Sequence, residues 1–214
     1  MKMALAISAL AVSLVLNGVL MYQKATAPET GTKVIGVIDG DTIVVGNKDR
    51  VRLRQMDAPE LNLCGGKQAK AALEKLVAGK SVTLSEMIPD QKGRGMALVY
   101  AGTNLINEEM LAQGWATYHH DISTKEQELK DAAASAKEKN LGLYGLCWST
   151  ENKTDPGCAI KGNIDDIGVK TYFLPDCAQY KFTVIEKNRG EEYFCTEAAA
   201  KKAGYAKAKT CGGL

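Results

Sequence analysis

Residues 39–60 read DGDTIVVGNKDRVRLRQMDAPE, and this stretch decides how the rest of the chain is arranged. Val and Ile alternate with polar residues before and after Asp39-Gly40-Asp41. That pattern predicts two strands joined by a tight acidic turn across residues 33–45. Gly46-Asn47-Lys48-Asp49 supplies the next turn, and a third strand follows over residues 50–56. On that strand Val51, Leu53 and Gln55 share one face, and Arg52 and Arg54 the other. Asp57 ends the strand, and Glu60 follows Ala58 and Pro59. Acids from separate strands that converge beside an arginine suit a hard cation and a phosphate ester. Calcium takes carboxylate and carbonyl oxygens, and a guanidinium fork matches phosphate oxygens. Taken singly, Asp39-Gly40-Asp41 is also ordinary turn chemistry, 57–60 a plain strand exit and Arg52 a solvated strand residue.

Outward from this stretch, residues 67–78 carry Ala and Leu at helical spacing, and Gly79 stops them. Residues 80–86 and 96–101 return to strand patterning. Between these two strands DQKGRG, residues 90–95, sets Arg94 in a glycine-flanked turn. A short helix is expected at 105–113, closed by Gly114. A longer one is expected at 123–140, with Ser123 or Thr124 as cap and Glu126 in its first turn. A five-stranded barrel with packed helices fits this order.

The segments VIDGDT (37–42), VRLRQMDAPE (51–60), GRGMALVY (93–100) and LINEEMLAQGWA (105–116) resemble, in order and spacing over about residues 33–144, the staphylococcal nuclease (thermonuclease) family. The resemblance implies an α+β fold: a five-stranded OB-fold barrel with about three helices, of a kind that commonly binds oligonucleotides. It implies that Asp41, Asp57 and the Ala58 carbonyl coordinate Ca²⁺, with Asp39 beside the ion. Glu60 would hold or deprotonate the attacking water. Arg52 and Arg94 would grip the phosphate and offset its developing charge. The implied partners are DNA and RNA, cleaved with little sequence specificity. The alternative reading is a membrane-tethered nucleic-acid-binding module without catalysis.

The chain departs from the family pattern in three places. Ala58 replaces a threonine whose carbonyl, not its hydroxyl, is the ligand. Gln91 and Lys92 replace a lysine and a tyrosine, so Lys92 becomes the candidate group for a terminal phosphate. The pair of nucleotide-contacting tyrosines is not reproduced; TYHH places Tyr118, His119 and His120 there instead. Tyr118 and His120 could stack on a base or approach phosphate, or belong to a plain surface loop. Neighbouring histidines rarely point the same way, which argues against a zinc pair.

The remaining sequence bounds compartment and organisation. The chain has 214 residues, 45% of them hydrophobic, enough for one ordinary domain and something small. Its net charge of +2 neither demands nor forbids a polyanionic partner, so any steering must come from a local cleft. Residues 3–22 carry no charge, and such a run can cross a hydrocarbon core of about 30 Å as a helix. The rival is a cleaved signal peptide, with Ala25-Thr26-Ala27 as its cleavage site and Pro28 unfavourably placed after it. Either reading exports the body. The expected organisation is signal or anchor 1–22, linker 23–32, barrel domain 33–148, linker 149–156, and a small cysteine-bearing α/β module 157–214. No obligate protein partner is expected. Six cysteines in an exported chain are expected to pair: Cys64 with Cys147, Cys158 with Cys195, Cys177 with Cys211. Spacing alone leaves connectivity open, and the tail loosely resembles small metal-binding modules of Ada type, so a four-cysteine zinc site is the rival. The tail could meet nucleic acid through lysines such as Lys161 and Lys170, bind a cell-envelope component, or present those lysines as a solvated face.

Overall fold

A computed structural model of the chain describes residues 31–211. The hydrophobic run at 1–22 and residues 23–30 of the linker lie outside the described residues. Among the described residues no helix is long and apolar enough to cross a membrane.

The first strands are β1 (Thr32–Val37), β2 (Thr42–Val45), β3 (Arg50–Leu53), a short β4 (Met56–Asp57), β5 (Ser81–Pro89), β6 (Gly95–Ala101) and a short β7 (Asn104–Leu105). The barrel's hydrogen-bonded order is β3-β2-β1-β5-β6, and a parallel β3–β6 pairing closes the ring. All other barrel pairs are antiparallel, and β7 folds back antiparallel on the end of β6. The ring needs no exposed edge. Its interior is the alternate apolar set of each strand: Val34, Ile43, Val51, Leu53, Val82, Ala97 and Val99 are all buried.

Three helices cover the barrel, followed by a single turn: α1 (Gly66–Val77), α2 (Ile106–Ala112), α3 (Glu126–Glu138) and α4 (Leu143–Leu146). Helix α1 buries Ala69, Ala72, Leu73 and Val77, the spacing of one helical face. Helix α2 carries Asn107, fully buried, into the barrel end. Its side-chain amide donates to the Arg54 carbonyl at 2.9 Å and the Ala97 carbonyl at 3.2 Å, and its oxygen accepts from Val99 N–H at 2.9 Å. A buried amide so bonded ties helix to barrel without an orphaned group.

Two local expectations change. The strand expected over 50–56 breaks at Arg54-Gln55, because Gln55 takes a left-handed φ of 61°. The chain turns there, and β4 pairs instead with the two-residue strand Thr117–Tyr118, β8. Helix α3 begins at Glu126, not Ser123. The Ser123 and Thr124 hydroxyls donate to the side chains of Gln55 and Glu86, so they serve the barrel. Ser123 Oγ also accepts from Lys125 N–H at 3.0 Å.

After the barrel come β9 (Trp148–Ser149), β10 (Ile160–Ile164), β11 (Lys170–Phe173), β12 (Ile185–Glu186), β13 (Glu192–Phe194) and β14 (Ala206–Lys207). Four of these form a second small sheet in the order β13-β10-β11-β14. The helix Glu197–Lys202, α5, packs on it and is capped by Thr196, whose hydroxyl accepts from Ala199 N–H at 3.1 Å. Ile160, Tyr172, Phe194, Ala200 and Tyr205 make its buried core. Three disulfides join Cys64–Cys147, Cys158–Cys195 and Cys177–Cys211, the pairs expected. Barrel and tail meet where β9 pairs with β12. Lys187 N–H donates to the Cys147 carbonyl at 3.1 Å, and Trp148 Nε1 donates to Asn188 Oδ1 at 2.9 Å.

Candidate active site

The acidic turn after β1 and the strand exit at β4 come to one end of the barrel because β2 and β3 pair in register, Thr42 opposite Arg52. Asp41 is 2% exposed. Its Oδ1 accepts from Arg52 Nη1 at 2.6 Å and from the Thr42 hydroxyl at 2.9 Å; its Oδ2 accepts from Ala58 N–H at 2.9 Å. Arg52 Nη2 donates to Asp57 Oδ1 at 2.5 Å. One guanidinium therefore bridges two acids that are sixteen positions apart in the chain, the half-exposed Asp57 and the buried Asp41. Asp39 accepts from Asp41 N–H at 3.1 Å and so shapes the turn.

Gly40 makes this approach possible. A Cβ placed there would come within 2.6 Å of both Ala58 Cβ and Ala69 Cβ. No side chain fits between the two acids without pushing Asp41 away from Ala58.

Electrostatically, burial pushes the Asp41 carboxyl up to about 7, against the pull of Arg52 and the Ala58 N–H, and Asp39 adds to the rise. Burial would also lower the Arg52 guanidinium, but Asp41 and Asp57 outweigh it and raise it. Three carboxyl groups, Asp39, Asp41 and Asp57, share this end of the barrel with the single Arg52 guanidinium. An oxygen-only donor set of this kind fits a hard divalent cation such as Ca²⁺. Asp39, Asp41 and Asp57, with the Ala58 carbonyl, are the residues that would hold it. Their carboxylate oxygens are not gathered as tightly as a closed site. Among the described residues, the one trio of His, Cys, Asp or Glu ligand atoms all within 4.8 Å of one another is Asp155, Cys158 and Cys195, whose two sulfurs are already joined to each other.

The other sequence candidates fall around this cluster. Glu60 is exposed, and its side chain makes no hydrogen bond or ion pair among the described residues. Its carbonyl lies where a Cβ on Gly66 would be 2.1 Å away, so the start of α1 fixes its backbone. His119 Nδ1 lies 3.5 Å from Asp57 Oδ2, whereas His120 Nδ1 lies 3.1 Å from Glu126 Oε1; the two rings serve different acids. The buried Tyr118 hydroxyl lies near Gln55 but makes no well-formed hydrogen bond among the described residues. Arg94 stands apart. Its Nε donates to Asp90 Oδ2 at 2.7 Å, and it lines a cavity of about 810 Å³ with Lys48 and Arg50. Arg52, Asp57 and both histidines line a different one of about 310 Å³. The structure therefore brings Arg52 to the acids and leaves Arg94 in the neighbouring cleft. Lys92 is exposed in the same turn, its N–H donating to Asp90 Oδ1 at 2.7 Å.

Sequence reasoning missed the device that holds the histidine loop. Arg54, 6% exposed, donates through Nε to Asp121 Oδ2 at 2.5 Å, through Nη1 to the Glu86 carbonyl at 3.0 Å, and through Nη2 to the Ile122 carbonyl. Gln55 Nε2 donates to the Asp121 carbonyl, and His119 N–H donates to the Gln55 carbonyl at 3.0 Å. The hydrogen bond from Arg54 holds the Asp121 carboxyl below its usual range. Gln55 and Glu86, both with positive φ, sit in this network. Nothing local in the sequence separates Arg54 from Arg52, since both read as exposed strand residues.

An OB-type barrel with carboxylates and a bridging arginine at one end has the chemistry that suits a phosphate and a hard cation. Comparison with known proteins gives the family. The model of the staphylococcal nuclease homologue family matches residues 50–148. A rice protein (Oryza sativa subsp. japonica) described as probable staphylococcal-like nuclease CAN2 is 36% identical over 140 residues, covering 63% of this chain and 36% of that protein. A Haemophilus influenzae protein described as an uncharacterized endonuclease is 37% identical over 133 residues, 58% of this chain and 69% of that one. One from Escherichia coli O157:H7 with the same description is 32% identical over 128 residues, 58% and 80%. The chain belongs to the staphylococcal nuclease homologue family. It spans about a third of the length of the rice relatives, and the family match starts at Arg50. Asp39 and Asp41 precede that match; Asp41 is joined to it through Arg52, and Asp39 is bonded to Asp41 N–H.

Proposed function

We propose that the protein is an exported, Ca²⁺-dependent nuclease that hydrolyses phosphodiester bonds of DNA and RNA with little sequence specificity. The observation that carries this reading is the bridge from buried Asp41 through Arg52 to exposed Asp57, which puts a guanidinium and carboxyl groups at one open end of the barrel. Ca²⁺, held by Asp39, Asp41, Asp57 and the Ala58 carbonyl, would supply Lewis-acid charge neutralisation. Glu60 is exposed and unpartnered among the described residues, so its carboxylate is free to accept a proton from water. Arg52 grips a phosphate oxygen with the fork it now offers Asp57. Arg94 reaches the same phosphate by exchanging Asp90 for it. Lys92, Tyr118 and His120 meet the flanking nucleotides. The N-terminal run at 1–22 directs export, leaving the body either anchored or released.

The separate lodging of Arg94 favours a second reading, a tethered nucleic-acid-binding protein without catalysis. Supercoiled-plasmid nicking separates the two. Nicking that stops in chelator, returns with Ca²⁺ and is nearly abolished in Glu60→Gln and Arg94→Ala, both still folded, is the expected result. Plasmid that is bound but never cut, with or without Ca²⁺, favours the second reading; wild-type nicking by either variant removes that residue from the mechanism.

A further inference from the structure

The acid cluster opens onto more than its own end of the barrel. A continuous cavity of about 770 Å³ begins at Asp57 and Ala58, passes the histidine loop, follows α3 and ends at Asn188 and Arg189 of the tail. Its far wall is therefore the C-terminal segment, held there by the β9–β12 pairing and by Trp148 and Asn188.

The lining is chemically uneven. Lys130 and Lys137 both line it, seven residues apart on one face of α3, about 10.5 Å along the helix axis. Both are exposed, and neither makes a salt bridge among the described residues; Lys137 acts on Glu186 only through space. Between them Ala133 and Ala134 keep the floor low. Trp148 lies under Lys137, with Nζ 4.9 Å from its ring centroid, and edge-on to Tyr144. The acids at the tail end, Asp166 and Glu186, stand 3.1 and 3.9 Å from Arg189, whose single charge offsets one of the two. What remains is two cations outside any salt bridge among the described residues, Lys130 and Lys137, the second lying over the Trp148 ring, along the cavity that reaches the acid site.

We infer that this barrel–tail cleft is an extended subsite for the single-stranded polynucleotide flanking the scissile phosphate, with Lys130 and Lys137 on backbone phosphates and Trp148 as a stacking platform. The inference rests on the nuclease reading for the direction of the strand, but the cleft's binding chemistry stands by itself. Backbone cations alternating with aromatic faces are how OB-type proteins hold single strands without reading sequence. A duplex keeps its bases stacked inside and could not use Trp148. The tail thus belongs to the substrate path.

The test uses the full chain and the variant Lys130→Ala/Lys137→Ala, with Lys130→Arg/Lys137→Arg as the charge-conserving partner. Substrates are a 20-nucleotide single strand and a dinucleotide. The Ala pair is expected to raise KM for the long strand roughly tenfold more than for the dinucleotide. It should also flatten the dependence of binding on salt by about 1.4 in log–log slope, near 0.7 for each backbone phosphate no longer neutralised. The Arg pair should restore both. An equal penalty on the two substrates, or none on either, overturns the inference. Fluorescence anisotropy of the labelled 20-mer in chelator keeps the test independent of catalysis. If wild type fails to cleave, the nuclease reading falls, yet a weakened Ala-pair complex still supports the cleft; unchanged affinity and slope there reject it.

Discussion

Two carboxylates are almost completely withdrawn from water, and they lie in different halves of the molecule. Asp41 in the barrel is 2% exposed, and Glu191 in the tail is 3% exposed. Glu191 Oε1 accepts from Asn163 Nδ2 and Ile164 N–H, both at 2.8 Å, and its Oε2 from Glu186 N–H at 2.7 Å. Its bonds come from neutral amides and stitch β10 to the segment 185–191. Asp41 instead meets a guanidinium that continues to an exposed acid. Burial raises the pKa of both groups. The lesson is that burial and perturbed titration do not by themselves mark a site. What separates Asp41 from Glu191 is its guanidinium partner, which continues to a second, exposed carboxylate.

That contrast breaks most sharply at Arg52. Arg52→Ala leaves Asp41 buried without its counter-charge and removes the phosphate-binding fork. Its kcat on single-stranded DNA is expected to fall on the order of 10²–10³-fold, the cost of removing one preorganised charge-stabilising donor. Arg52→Lys should recover only a minor part, because an ammonium cannot bridge two acids as a planar fork does. Circular dichroism must show a folded barrel in both. Turnover in Arg52→Ala within a factor of a few of wild type would reduce the bridge to a structural ion pair like those around Arg54.

The barrel and tail differ as much in what holds them together. Barrel strands and helices share a large apolar core. The tail's core is five residues, too few to stand unaided, and small folds of this kind rely on cross-links. Replacing Cys177 and Cys211 by Ser opens a loop of 34 residues and is expected to cost the tail about 3–4 kcal/mol. Hydrogen exchange checks this. Amides of β10 and β11 should lose protection while those of Val99 and Leu98 in the barrel keep theirs. Equal loss in both regions would mean that barrel and tail unfold as one unit.

Much of the barrel was legible because its signals are local. Alternation in 33–45, the Gly79 stop and the acidic turn each dictate their own conformation within a few residues. The same is true of the acids and Arg52, whose convergence follows from strand register. What the sequence hid depends on interactions between distant segments. Arg54 reads like Arg52, yet Asp121, sixty-seven positions away, draws it inward. Ser123 reads as a helix cap, yet Gln55 takes its hydroxyl. Arg94 reads as a partner of Arg52, yet Asp90 four residues earlier holds it in another cleft. Lys130 and Lys137 give no signal until the tail is seen to wall their side of α3.

The smallest effect tests the tail's half of the comparison directly. Burial, the larger influence, raises the Glu191 pKa, while the N–H groups of Ile164 and Glu186 and the nearby Arg189 pull it down without overcoming burial. The folded chain therefore binds this proton more tightly than the unfolded chain, whose glutamates titrate near about 4.3. The stability Glu191 contributes is fully present below that value and is lost as pH rises through its folded pKa. Asn163 and the two backbone N–H groups still bond the ionised form, so the loss should be modest, and confined to the tail. A carboxyl ¹³C titration should place the Glu191 midpoint above that of an ordinary exposed glutamate, with β10 and β13 amides shifting at the same midpoint and barrel amides not following. A midpoint at or below the exposed value would show that the three N–H donors outweigh burial. Glu191 would then be a fixed anion, and the distinction drawn from Asp41 would rest on Arg52 alone.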